Sequence, residues 1–245
     1  SKKYKNKTFK VNNEIKFLNK FAILKRNHSN AKIIGITGSA GKTTIKNLLH
    51  DLLEVFGSTY ASPRSFNNHF GVPVSLSNLN INHQYGIFEV GMSKAGEINQ
   101  LTKMIKPNIG LITNIGEAHI ANFINIKGIA RAKSEIINNI ETNGTVILNR
   151  DDRFFNYLSK KAKLRKIKVV SFGTTRKANI HPIKIKKFRK VTQVNIKISD
   201  EIIKLNIKNI NIYNVLSSLA ILKELGLSFD KINKIYKNCE PSDGR

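Results

Sequence analysis

Short apolar runs alternate with amphipathic segments along most of this chain. The apolar runs that are rich in β-branched residues lie at 32–37, 85–91, 109–116, 144–149 and 167–173. Between them, apolar residues recur at the helical period near 95–105, 127–140 and 152–163. Strands that are apolar throughout and separated by helices are typical of a mostly parallel sheet covered on both faces. The pattern therefore predicts one α/β domain whose sheet is flanked by helices.

The clearest helical pattern directly follows the first strand. Its apolar residues are Ile45, Leu48, Leu49, Leu52, Leu53 and Phe56. Gly57 is expected to end this helix. An amphipathic helix is predicted before the first strand, from Ile15 to Ala22, and two helices are predicted to close the chain, near 212–225 and 229–238.

The region 180–208 has a different pattern, in which apolar and charged residues alternate. Turn signals interrupt it at "FRK" and "SDE". Alternation of this kind is typical of antiparallel strands with one face toward water. A small antiparallel hairpin or three-stranded piece is therefore expected here.

Composition limits the function classes. The 245 residues carry 42 Lys and Arg against 16 Asp and Glu, a formal net charge of +26. This charge has two interpretations. One is attraction to a polyanion. The other is the codon bias of an AT-rich genome, because Asn and Ile are also abundant and the lysines are spread along the chain. The second interpretation is favoured, with attraction of anionic substrates as a by-product, and neither nucleic acid nor membrane is an expected partner.

Cysteine usage and hydropathy point to a compartment. Cys239 is the single cysteine, so no internal disulfide is possible and a reducing compartment fits. No apolar run is long enough to cross a membrane, and residues 1–10 lack the apolar block of a signal peptide. A cytoplasmic protein, with a monomer as the expected state, is the prediction.

The segment "GITGSAGKTT", residues 35–44, lies between a predicted strand and a predicted helix, which is the context of a phosphate loop. The common pattern G-x-x-x-x-G-K-[ST] would place its first glycine at Ile36, but the glycines here are Gly35, Gly38 and Gly41. Backbone N–H groups and the helix N-terminus favour phosphate at such a loop. The predicted nucleotide contacts are Gly38, Ser39, Ala40, Gly41, Lys42, Thr43 and Thr44. Lys42 is expected to reach the terminal phosphates and Thr43 to ligate Mg²⁺.

Three further side chains are candidates for the same site. Glu89 ends an apolar strand, where a carboxylate is costly unless it is paired or binds a metal. His119 follows the next strand and is expected at the same sheet edge. Lys133 falls on the apolar face of its helix. The alternatives are a salt bridge for Glu89, a structural or solvated role for His119, and a lysine stem reaching outward for Lys133. The other hypothesis for Lys133 is a lowered pKa and covalent modification.

Together, these segments resemble the Mur ligases of peptidoglycan synthesis. The family's phosphate loop reads T-G-[ST]-x-G-K-[ST], as 37–43 does here, which accounts for the displaced glycine. The similarity is greatest to the Mur ligases that join D-alanyl-D-alanine to UDP-N-acetylmuramoyl-tripeptide. It rests on "FNNHFGVPVSLSNL", "FEVGMSKAGEI", "LITNIGEAHI", "GIARAKSEI", "LNRDD" and "NIYNVLSSLA".

The resemblance implies ATP-dependent amide formation through an acyl phosphate. By this resemblance, Lys42 and Thr43 serve the phosphates and a first Mg²⁺, and Glu89 and His119 are metal ligands. Lys133 matches a lysine that is carbamylated and helps to organise a second Mg²⁺. Near the nucleotide, Asn211 and Asn214 match asparagines close to adenine, and Arg245 matches an arginine that faces the phosphates. Ile210 stands where the family has histidine.

The resemblance also implies a domain division. Residues 1–30 are expected to be the remnant of an N-terminal domain for the UDP substrate, and residues 31–245 the central ATP-binding domain. The C-terminal domain of these ligases is expected to be absent, leaving this chain inactive alone. Two alternatives stay open. They are another amide ligase of the superfamily, of the folylpolyglutamate or cyanophycin type, and a nucleic-acid-binding phosphate-loop module.

Overall fold

A computed structural model describes residues 10–118 and 120–238 of the chain. Its strands are β1 Lys32–Thr37, β2 Thr59–Ala61, β3 Tyr85–Glu89, β4 Ile109–Ile112, β5 Thr145–Asn149, β6 Lys168–Phe172, β7 Ile180–Lys187, β8 Thr192–Ile198 and β9 Glu201–Ile207. They form one sheet in the order β2-β3-β1-β4-β5-β6-β7-β8-β9. Pairing is parallel from β2 to β7 and antiparallel from β7 to β9. The predicted fold class and the antiparallel piece are both confirmed.

The helices cover both faces of this sheet. They are α1 Glu14–Asn27, α2 Lys42–Glu54, α3 Gly71–Ser77, α4 Glu97–Ile105, α5 Ile126–Lys133, α6 Phe155–Leu164, α7 Ile212–Glu224 and α8 Asn233–Asn238. Within the described ranges, 3-10 segments lie at Ile120–Asn122 and Ser134–Asn139. Among the described residues, none of the helices has both the length and the apolar character needed to span a bilayer.

Two apolar cores lie on opposite faces of the sheet because successive strand residues point in opposite directions. Ile34 and Ile36 of β1 pack with α2, α7 and the antiparallel strands. Ile33 of the same strand packs with α1, α3, α4, α5 and α6. Burial on both faces explains why β4 is apolar throughout and why the interior of β1, from Ile33 to Ile36, is apolar.

Several helix ends follow from local chemistry. Asn13, Asn125 and Asn211 each accept a hydrogen bond at the N-terminus of α1, α5 and α7 respectively, which satisfies a free backbone N–H. Gly226 adopts a φ of 71° just after α7, and the N–H of Leu227 then bonds to the carbonyl of Leu222. This is a typical glycine-terminated helix end.

The sequence pattern missed two elements and misplaced some ends. Strand β2 has only three residues, and α3 contains Pro73, so neither shows a helical or alternating pattern long enough to detect. Helix α2 ends at Glu54, before Gly57. The segment expected as one helix near 127–140 is divided at Lys133 between α5 and a 3-10 segment, and α8 begins only at Asn233.

Candidate active site

The phosphate loop connects the carboxyl end of β1, which lies between β3 and β4 in the parallel part of the sheet, to α2. The parallel register pairs Ile36 with Glu89 of β3 and Thr37 with Ile112 of β4. The residues that follow β1, β3 and β4 therefore lie at the same edge of the sheet, where the strands have their carboxyl ends. Ile36, where the common pattern has glycine, is a fully buried strand residue.

Two glycines of the loop are required by its geometry. Gly38 has φ 151° and Gly41 has φ 80°, both unfavourable for other residues. A Cβ on Gly38 would collide with the Thr113 hydroxyl and lie 3.2 Å from the Thr113 backbone nitrogen. Glycine at position 38 therefore allows the loop to pack closely against the segment that follows β4.

That segment holds the loop through several hydrogen bonds. Asn114 Oδ1 accepts from the N–H groups of Ser39 and Ala40 at 3.1 and 3.0 Å. Thr113 Oγ1 donates to the carbonyl of Ala40 at 2.7 Å. Ser39 Oγ donates to the carbonyl of Gly116 at 3.0 Å and accepts from its N–H at 2.8 Å. Since these bonds fix the loop from one side, they preorganise it.

Two lysines converge on the same loop carbonyl. Lys42 Nζ and Lys133 Nζ each donate to the carbonyl oxygen of Gly38 at 3.0 Å. Lys133 is only 2% exposed, so the inward orientation predicted from the helical period is confirmed. Burial, with a smaller contribution from the charge of Lys42, lowers the pKa of Lys133 to about 7. Burial also lowers the pKa of Lys42, and the Glu89 carboxylate opposes that effect.

An acidic group faces the start of α2. Thr43 Oγ1 donates to Glu89 Oε2 at 2.8 Å, and Asn67 Nδ2 donates to Glu89 Oε1 at 2.7 Å. Glu89 is 1% exposed. A buried carboxylate beside a hydroxyl supplies hard oxygen donors of the kind that Mg²⁺ prefers. The pair fits such an ion because Mg²⁺ is usually held by one or two protein groups together with phosphates.

A cleft of about 750 Å³ opens on one side of the loop. Ala40, Gly41 and Thr44 line one wall, and Asn211 and Asn214 of the α7 start line the other. The structure therefore brings the two predicted asparagines to the same cleft as the loop. A smaller cavity of about 290 Å³ lies on the other side and is lined by Lys42, Asn67, His69, Glu97 and Lys133, among others.

One wall of the larger cleft carries a network that the sequence did not indicate. Asp151 accepts hydrogen bonds from Thr174 N at 2.6 Å, Thr174 Oγ1 at 2.8 Å and Tyr213 Oη at 3.1 Å. These bonds lower the pKa of Asp151 despite the opposing effect of its partial burial. Tyr213 is thereby fixed at the mouth of the cleft, beside Asn214.

Two predicted residues cannot be placed, because His119 and Arg245 lie outside the described residues. Within the described parts of the chain, no group of three or more His, Cys, Asp or Glu side chains is arranged to hold a metal ion. The sequence reasoning also missed Asn67, Asn114 and Lys46. A signal existed for Asn114, which is the second residue after the buried strand β4, at the expected edge.

The fold and this loop define an α/β phosphate-loop domain. A strand, a glycine loop with a lysine and a threonine, and a helix are arranged as nucleotide-binding domains require. More specifically, the chain belongs to the Mur ligase middle domain family, because the sequence model of that family matches residues 36–222.

Individual relatives agree with this family. The UDP-N-acetylmuramoyl-tripeptide–D-alanyl-D-alanine ligase of Rickettsia prowazekii is 41% identical over 176 residues, covering 71% of this chain and 39% of the relative. The crystal structure of MurF from Acinetobacter baumannii superposes with a TM-score of 0.88 at 29% identity, covering 96% of this chain and 52% of that one. MurF from Thermotoga maritima, solved in complex with ADP, has a TM-score of 0.83 at 24% identity, covering 96% of this chain and 54% of that one. The chain thus spans about 40–50% of the length of these relatives.

Proposed function

We propose that this chain is the ATP-binding domain of a ligase that adds D-alanyl-D-alanine to UDP-N-acetylmuramoyl-tripeptide in peptidoglycan precursor synthesis. The observation that carries the proposal is the convergence of Lys42, Lys133 and the Thr43–Glu89 pair around one glycine loop. The names of the relatives supply the substrates, and the ADP complex of the Thermotoga enzyme supports ATP as the nucleotide.

In this reaction the substrate carboxylate attacks the γ-phosphorus of ATP, and ADP leaves. The amine of D-alanyl-D-alanine then attacks the acyl phosphate carbon, phosphate leaves, and the amine loses a proton. Lys42 would stabilise the negative charge that develops on the transferring group. The larger cleft would hold the nucleoside, with Asn211 and Asn214 near the base. The smaller cavity, between Lys42 and Lys133, would hold the reacting carboxylate.

Glu89 and Thr43 would hold the first Mg²⁺, with His119 as a further ligand. Bound Mg²⁺ would neutralise phosphate charge and align the reacting oxygens. Lys133 is suited to carbamylation, because a pKa near 7 leaves much of the amine neutral. The neutral amine attacks the carbon of CO₂ and loses a proton, which leaves a carbamate. This carboxylate-like group would contribute to a second metal site and would remove the repulsion between Lys133 and Lys42.

The domain division belongs to the same proposal. Residues 1–30 would end an N-terminal substrate domain, and Arg245 would lie near the start of the domain that closes over ATP. Helix α1 packs on α3 and α4, with Ala22 fully buried, so α1 is attached to the ATP-binding unit. Cytoplasmic ATP and a reducing compartment fit this assignment, and a monomer is the proposed state.

The direct test uses the full-length protein. We expect phosphate release that depends on ATP, UDP-N-acetylmuramoyl-tripeptide and D-alanyl-D-alanine together. Lys42→Ala should abolish it. Turnover with glutamate as the amine instead would favour the folylpolyglutamate alternative. A change in mobility of DNA at physiological salt, without any ligase activity, would favour the nucleic-acid module.

A further inference from the structure

Lys46 is a buried cation one helical turn beyond Lys42, and the proposed reaction assigns it no role. Its side chain is 2% exposed, among the largest fully buried side chains of the described residues. Its Nζ donates to the carbonyl oxygen of Ser62 at 2.7 Å and also to the carbonyl oxygen of Arg64. The ammonium group therefore joins α2 to the segment 62–67 that follows β2.

This segment contacts the acidic group of the candidate site at two points. Ser62 Oγ accepts a hydrogen bond from the backbone N–H of Glu89 at 3.2 Å. Asn67 Nδ2 donates to Glu89 Oε1 at 2.7 Å, and the Asn67 carbonyl accepts from Gly91 N at 2.7 Å. The positions of both the backbone and the carboxylate of Glu89 thus depend on the segment that Lys46 holds.

The segment needs such support because part of its backbone is strained. Arg64 adopts a φ of 47°, a left-handed conformation that costs a non-glycine residue free energy. Burial lowers the pKa of Lys46, and the Glu89 carboxylate opposes this effect. An apolar side chain at position 46 would avoid the desolvation of an ammonium but would leave the Ser62 and Arg64 carbonyls without this donor.

We infer that Lys46 is a positioning residue for the metal-binding carboxylate. By fixing residues 62–67, it holds Asn67 against one oxygen of Glu89 and leaves the other directed at Thr43. This inference rests on the proposed function, because it concerns the carboxylate that would hold Mg²⁺. Groups that orient metal ligands typically change metal affinity by about 10- to 100-fold when they are removed.

The test is calorimetric titration of the full-length protein with ATP at a series of MgCl₂ concentrations. Lys46→Met should raise the Mg²⁺ concentration needed for half-maximal ATP binding by about 10-fold or more, with affinity recovering at saturating Mg²⁺. Asn67→Ala should give the same shift, and the double variant should be no worse. Lys103→Met, the same change at an exposed position of α4, is the matched control and should leave the Mg²⁺ dependence unchanged.

The outcomes separate this inference from the proposed function. A wild-type protein that does not bind ATP with Mg²⁺ would overturn both. A wild-type protein that binds it, with the same Mg²⁺ dependence in Lys46→Met, would overturn the inference alone. Thermal unfolding reports whether each variant is folded. If Lys46→Met does not fold, Asn67→Ala decides, and a Mg²⁺ dependence equal to that of wild type would overturn the inference.

Discussion

Replacing Gly38 by alanine adds one methyl group where the phosphate loop approaches the segment after β4. The residue has φ 151°, and the new Cβ would collide with the Thr113 hydroxyl. That hydroxyl donates to the carbonyl of Ala40, so it cannot move away without losing this bond. The Thr113 backbone nitrogen lies 3.2 Å from the Cβ position, so the new methyl group cannot avoid the hydroxyl by shifting toward the Thr113 backbone.

The expected cost follows from these contacts. An unfavourable backbone conformation costs about 1–3 kcal/mol, and forcing a methyl group into a packed site costs about 1–3 kcal/mol. Gly38→Ala should therefore destabilise the fold by about 2–6 kcal/mol. Gly226→Ala is the matched control, because Gly226 also has a positive φ, 71°, but no atom beyond its two chain neighbours lies within 4 Å of its Cβ position. Its expected cost is about 1–2 kcal/mol, from the backbone alone.

Urea unfolding of the two variants measures this difference, and calorimetric titration with ATP and Mg²⁺ measures its effect on the site. Gly38→Ala should lower the unfolding midpoint more than Gly226→Ala and should weaken nucleotide binding, which Gly226→Ala should leave intact. Equal destabilisation by the two changes would refute the argument that residue 38 must be glycine because the loop packs closely against Thr113.

Three further predictions concern Lys133 and Asn114. In the full-length enzyme, Lys133→Ala should lose activity that added short carboxylic acids partly restore; no rescue would count against a carbamate. In CO₂-free buffer, where the amine is unmodified, Lys133→Met should raise the urea midpoint more at pH 6 than at pH 10. The pKa of Lys133 is about 7 in the folded state, whereas the unfolded chain keeps this proton up to about pH 10.5. The free-energy cost of burying the charged amine in the wild type is therefore full at pH 6 and is lost as the pH rises from about 7 to about 10.5. Equal effects at both pH values would contradict the lowered pKa. Asn114→Ala should cost about 1–3 kcal/mol in urea unfolding, because the loop N–H groups lose an acceptor; an unchanged midpoint would show that Asn114 does not hold the loop.

Much of the fold followed from periodicity. The parallel strands are mostly apolar because helices cover both sheet faces, and the β7–β9 piece alternates because one face meets water. Strand β2 and helix α3 escaped detection because their formation depends on tertiary contacts. The backbone of Phe66 lies within 2.7 Å of a Cβ position on Gly71, so close packing, which no pattern shows, sets the start of α3.

The site was predictable where side chains follow strand ends or violate a helical pattern. Glu89 and Lys133 were found by these two arguments. Lys46 met the second criterion equally well, since it shares the inner face of α2 with Leu49 and Leu53, so the helical pattern contained a signal for it too. Asn67 and Tyr213 gave no such signal, because each reaches the site from a loop or helix start placed by the sheet order.

The central claim is that Lys42 and its loop bind the phosphates of ATP with Mg²⁺. The most direct measurement is calorimetric titration of wild-type and Lys42→Ala proteins with ATP in the presence of MgCl₂. We predict saturable binding by the wild type and none by Lys42→Ala, with unchanged unfolding cooperativity in both. Equal affinity in the two proteins would contradict the claim.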